Sequence, residues 1–265
     1  MELRYGDLVR TFLVVALVAL TLVVGLPSPA GAFGDVGAFD PRVLLTGSQT
    51  NAAHPSAPER WSWELIQRTS APAKLRPTMV RADATDITHD TFLTWSGTAA
   101  VAPLTMGEVA GLRRFFSLGG VLFVDDAAPG NAGEPSPFAT SARREIARVL
   151  PDQTPITLGT DHVVFRSFYL LMRAEGRVHG AKSLDAIVRA GAAQVLFGEN
   201  DLGGALARSQ MGTWEEPVTP GGDTQRELAI RLAVNIGMYV LCSNYKDDQV
   251  HAPFLMRRRA LLGGQ

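Results

Sequence analysis

Apolar positions fall in blocks along the chain, and their spacing changes from block to block. Arg42 to Leu45 in "PRVLLTGS" (41–48) makes a short strand that runs into a polar loop. "RWSWELIQRTS" (60–70) sets Trp61 and Leu65, with Trp63 beside them, at helical spacing and predicts an amphipathic helix. "TMVRAD" (78–83) and "DTFLTWSG" (90–97) read as strands bounded by polar residues and glycine. Thr105-x-x-Glu108 is a capping box, after which Val109, Leu112, Phe115 and Phe116 recur at helical spacing until Gly119-Gly120 ends the helix. "VLFV" (121–124) follows at once, a continuous apolar strand such as a sheet covered on both faces requires. A loop rich in Pro, Gly and Ala fills 125–137. "SARREIARVL" (141–150) predicts a helix with Ile146, Val149 and Leu150 inward and Arg143, Arg144 and Arg148 outward. "AQVLFGEND" (193–201) supplies a last strand, Val195 to Phe197, and 225–245 a long, mostly buried helix.

Strand, helix and strand succeed one another within 35 residues at 90–124, and a crossover of that length implies parallel pairing. The alternation predicts one α/β domain over 40–245: three layers, with a doubly wound, mostly parallel sheet and helices on both faces. Residues 246–265 are left as a basic tail carrying Arg257-Arg258-Arg259, read as a solvated, disordered end.

Thr11 to Leu26 is a 16-residue apolar run without charge, short for a membrane span and suited to the core of a signal peptide. Pro27 and Pro29 break it, and Ala30-Gly31-Ala32 offers a cleavage site after Ala32. Residues 1–32 are therefore expected to be a signal peptide, with an uncleaved N-terminal anchor as the alternative; the folded part is expected outside the cytoplasm, in the periplasm or envelope. Glu2 and Asp7 beside Arg4 and Arg10 dilute the positive charge that usually precedes such a core.

The remaining composition mostly excludes. A formal net charge of -1 gives no reason to expect nucleic acid as a partner. The single cysteine, Cys242, rules out an intramolecular disulfide and a cysteine-based zinc cluster, and its apolar helical setting predicts a buried thiol. The sequence holds no glycine-rich nucleotide fingerprint, no phosphate loop and no Gly-x-Ser-x-Gly elbow. No cofactor is implied, and membrane contact is expected only through the N-terminal segment or the basic tail.

Open parallel sheets bind ligands outside the carboxyl ends of their strands, near the point where the strand order reverses. Gly47-Ser48-Gln49, Asp125-Asp126 and Glu199-Asn200-Asp201 fall at such ends, and Asp161-His162 precede an apolar patch. The ligand-binding candidates are thus Asp125, Asp126, Asp161, His162, Asn200 and Asp201, with Asp125 and Asp126 as candidate metal ligands. Converging carboxylates with a histidine could hold a divalent ion or act as acid and base. The alternative for each aspartate is a cap on a turn or helix start.

The segments "FLTWSG", "LTMGEVAGLRRFFSLGGVLFVDDA", "RREIARVLP", "DHVVFRSFY", "VLFGENDLGGAL", "LAVNIGMYVL" and "NYKDDQVHAPFLMRRR" resemble, in order, the bacterial domain of unknown function 4159 family over roughly residues 40–259. The resemblance implies a class I glutamine amidotransferase-like, flavodoxin-like fold, and gene neighbours of the MoxR-type ATPase and von Willebrand factor A kinds. It implies no activity. In amidotransferase-like folds the turn after the central strand carries the nucleophilic cysteine; here that turn carries Asp125 and Asp126, so thiol-dependent glutamine hydrolysis is not expected. The leading expectation is an exported, non-catalytic domain that binds a ligand or protein partner in the envelope. The alternatives are a hydrolase of a glycan or ester using the acidic cluster, and a scaffold subunit whose basic tail makes the contact.

Overall fold

The computed structural model describes residues 37–129 and 135–262, with side chains as far as Ser243. The expected signal segment lies outside the described residues, as do the side chains of Arg257 to Arg259.

Seven strands form one sheet: β1 (Arg42–Leu45), β2 (Met79–Arg81), β3 (Phe92–Gly97), β4 (Val121–Asp126), β5 (Ile156–Thr157), β6 (Asp185–Arg189) and β7 (Ala192–Gly198). Their order is β2-β1-β3-β4-β7-β6-β5. Every pairing from β2 to β7 is parallel, while β6 pairs antiparallel with β7 and β5 antiparallel with β6. Counting only the parallel strands gives 2-1-3-4-5, the order of flavodoxin-like doubly wound sheets. The order therefore reverses between β1 and β3.

Among the described residues five α-helices pack with the sheet: α1 (Ala57–Thr69), α2 (Met106–Ser117), α3 (Pro137–Val149), α4 (Leu202–Leu206) and α5 (Gly222–Leu262). The alternation of side chains along a strand sorts the core into two layers. Phe123 joins Trp61 and Leu65 of α1 and Ala233 and Val234 of α5 on one face. Leu122 and Val124 join Phe115 and Phe116 of α2 and Phe138 and Ile146 of α3 on the other. Trp61 fixes the first layer by donating its indole N–H to the Ala233 carbonyl at 2.7 Å.

The capping box is present as the spacing predicts. Thr105 Oγ1 accepts from the Glu108 amide at 3.2 Å, and Glu108 Oε2 accepts from the Thr105 amide at 2.8 Å. Two expectations need correction. Helix α5 continues through 246–262, part of the stretch read as a disordered tail. Cys242 is exposed: Tyr239 and Val240 face inward, and two further residues turn the helix about 200° away from that face. Arg144 and Arg148 do reach outward, but both return to the buried carboxylate of Glu145.

Candidate functional site

The reversal of strand order opens a crevice of about 260 Å³ at the carboxyl ends of β1 and β3, lined by residues 46–49, Asn51, Ala53 and 96–102. Gly47 turns the chain after β1 with φ of 53°, a left-handed conformation that glycine adopts without penalty. Its amide donates to Glu108 Oε1 at 2.8 Å, so the carboxylate that caps α2 also holds the crevice loop in place. Gln49 is a brace. Its Oε1 accepts from Thr46 Oγ1 at 2.9 Å and Trp95 Nε1 at 3.0 Å, and its Nε2 donates to the Ser96 carbonyl at 3.0 Å. Ser96 Oγ accepts from the Ala53 amide at 3.0 Å. Ser48, Asn51 and Thr98 complete the polar side of the lining, Ala53 and residues 99–102 make the rest apolar, and no ionisable side chain lines it.

The next residue of the same loop, His54, reaches the ends of β4 and β7. Its Nε2 lies 3.0 Å from Asp201 Oδ1. Asp201 sits in the left-handed region with φ of 54°, caps α4 by accepting from the Gly204 amide at 2.9 Å, and pairs with Arg177. Asp125 accepts from the amides of Leu202 at 2.9 Å and Gly203 at 2.7 Å. Burial and the Asp201 charge push the Asp125 carboxyl up to about 7, against the pull of those two amides. Burial opposes a charge on His54, but contact with Asp201 and the charges of Asp201, Asp125 and Glu215 outweigh it and raise its pKa.

The six residues singled out in the sequence do not all meet. Asp125 and Asp201 come together at the start of α4, where both accept from its backbone amides, and His54 and Arg177 contact Asp201. Asp126 follows the strand alternation to the opposite face. There its Oδ1 accepts from Ser136 Oγ at 2.8 Å and the Ala128 amide at 3.2 Å, while Ser136 caps α3. Asn200 is turned to the backbone, donating Nδ2 to the carbonyls of Ala174 at 3.0 Å and Ala181 at 2.9 Å. Asp161 is exposed. His162 caps a 3-10 turn at Val163–Phe165, its Nδ1 accepting from the Val164 amide at 3.3 Å, and burial lowers its pKa. The adjacent carboxylates Asp125 and Asp126 thus serve two layers, one fixing α4 and the other ordering the start of α3. Among the described residues no group of three or more His, Cys, Asp or Glu side chains is arranged to hold a metal ion.

His54 was not a sequence candidate, because its partner lies in a strand end far along the chain. Glu108 was visible only as a cap. A family model, "Domain of unknown function (DUF4159)", matches residues 41–241. The chain belongs to this family. No curated protein matches it. The DUF4159 match starts one residue before β1 and runs into α5, so it contains the whole crevice and the His54–Asp201 contact. Among the described residues of this DUF4159 protein, no helix is long and apolar enough to cross a membrane.

Proposed function

We propose that this protein is an exported, non-catalytic binding module that takes a small, uncharged polar ligand in the crevice between β1 and β3. The observation that carries this reading is the crevice itself. It stands where the strand order reverses, the place where doubly wound sheets bind ligands. Hydroxyls and amides line one part of it, Ala53 and residues 99–102 the other, and no ionisable side chain does, which suits a neutral molecule with hydroxyl or amide groups and some apolar surface. Export rests on the apolar run from Thr11 to Leu26 and the Ala30-Gly31-Ala32 that follows, and it would bring the ligand from the envelope.

The likeness to amidotransferases is one of architecture in this reading. The last two residues of β4 are Asp125 and Asp126 where a thiol would stand, and the one cysteine is on α5. Against a hydrolase weighs the division of those two carboxylates between opposite faces, since acid and base must reach one reacting atom.

Saturation-transfer NMR on the chain without residues 1–32, with neutral sugars and amides, tests the reading. Ala102→Trp fills the crevice from an exposed wall position. Ligand signals that disappear in this variant support the crevice. Signals that persist, or the absence of any binder, overturn it.

A further inference from the structure

We propose that Arg60, Arg208 and Arg226, gathered around Trp214, form a second binding site, one that takes a phosphate group. The guanidinium carbons of Arg208, Arg226 and Arg60 lie 3.3, 4.2 and 5.5 Å from the centroid of the Trp214 ring. A short hairpin makes this possible. Arg208 and Trp214 face each other across an antiparallel bridge, closed by the Ser209 amide on the Thr213 carbonyl at 2.9 Å.

Cations crowded on one indole need counter-charge, because buried charges are ordinarily paired. Arg60 has Glu64, but Glu64 is shared with Arg68. Arg208 and Arg226 have no carboxylate partner among the described residues. Arg208 Nη1 donates to the Gly212 carbonyl at 2.6 Å, and Arg226 spends Nη1 and Nη2 on the carbonyls of Ala205 and Glu216, each at 2.6 Å. Arg226 is only 5% exposed, and the Nε atoms of all three arginines are buried without a hydrogen-bond partner. Arg226 also stands in the opening turns of α5, where the positive end of the helix adds to the field. Burial lowers the pKa of both Arg208 and Arg226; the neighbouring Arg60 adds to this at Arg208, while the charges of Glu64 and Asp223 pull the other way at Arg208 and Arg226 respectively. Three guanidiniums on one indole, with no carboxylate in contact with Arg208 or Arg226 among the described residues, favour an anion beside them. Guanidinium forks match the geometry of phosphate oxygens, and the indole between them supplies a flat wall.

The site is distinct from the crevice, although the same loop touches both. Ala53 lines the crevice, and Ser56 Oγ accepts from the Arg208 amide at 2.9 Å. Free phosphate and a phosphomonoester share the chemistry, and titrating both separates them.

The test is calorimetric titration of the whole chain with inorganic phosphate and, separately, glycerol 3-phosphate, with chloride at matched ionic strength as control. Saturable binding of either is expected, weakened about tenfold or more in Arg208→Gln, the scale of one lost charge-assisted contact. Binding of the ester alone would assign the phosphate to a larger ligand. Arg208→Lys keeps the charge but not the fork and is expected to fall between; it also serves if Arg208→Gln fails to fold. No saturable heat with either anion, or affinity unchanged in both variants, overturns the proposal.

Discussion

His54 Nε2 meets Asp201 Oδ1 at 3.0 Å, and this contact ties the loop that walls the crevice to the buried acidic end of β7. Asp125 stands close by. The protonation of Asp125 and His54 should be readable in stability.

The raised carboxyl of Asp125 binds a proton more tightly in the folded chain than in the unfolded one. Stability is therefore expected to fall as pH rises from about 4 through about 7. His54 acts in the same direction, since its raised pKa contributes stability below about 6.5 that is lost as pH climbs through its folded value. Glu145 and Glu227 are lowered and act oppositely, losing stability only as pH drops below about 4.5. Melting curves should show a decline between pH 5 and 8 that is flatter in Asp125→Asn. A slope identical to wild type would dissociate Asp125 from the effect.

Glu108 caps α2 and holds the Gly47 amide, so its loss should register twice. Glu108→Ala is expected to cost about 1–2 kcal/mol of stability and to weaken any crevice ligand found by NMR. Glu108→Gln keeps one side-chain oxygen and should lose less of both. Urea titration alongside the binding assay separates the two effects.

Gly97 ends β3 directly beneath the Phe138 ring, and a Cβ there would overlap the ring. Phe138 is fully buried and has nowhere to retreat. Gly97→Ala should cost roughly 1–3 kcal/mol, measured as a lower urea midpoint. Paired with Phe138→Leu, which makes room, the same substitution should cost distinctly less than it does alone.

Ser136 caps α3 under the guidance of Asp126. Ser136→Ala should cost about 1 kcal/mol, and Asp126→Ala a similar amount, because it frees the hydroxyl from its partner. The two losses are expected to be less than additive in a double-mutant cycle. Full additivity would show that Asp126 does not act through Ser136.

The parallel core was legible because its signals are local. Val121–Val124, the Thr105–Glu108 box and the apolar period of α2 each lie within a few residues. The hairpin of β6 and β7 was not, because its two-residue turn is Ala190-Gly191, both at positive φ, and alanine is a poor advertisement for that conformation. Helix α4 was hidden by the glycine pair Gly203-Gly204, which argues against a helix until Asp125 and Asp201 are seen to cap it. The acidic strand end was found as a place, but strand alternation divides Asp125 from Asp126. His54 could be assigned only once the fold set it against a residue far along the chain.

The sheet's two margins have a consequence for how the molecule keeps company. One ends in β2, three residues long, and the other in β5, with two. Neither presents a long ladder for a neighbouring backbone to zip onto, so edge-to-edge polymerisation is disfavoured at both margins. The described domain can thus be crowded at high local density with little tendency to knit itself into a larger sheet.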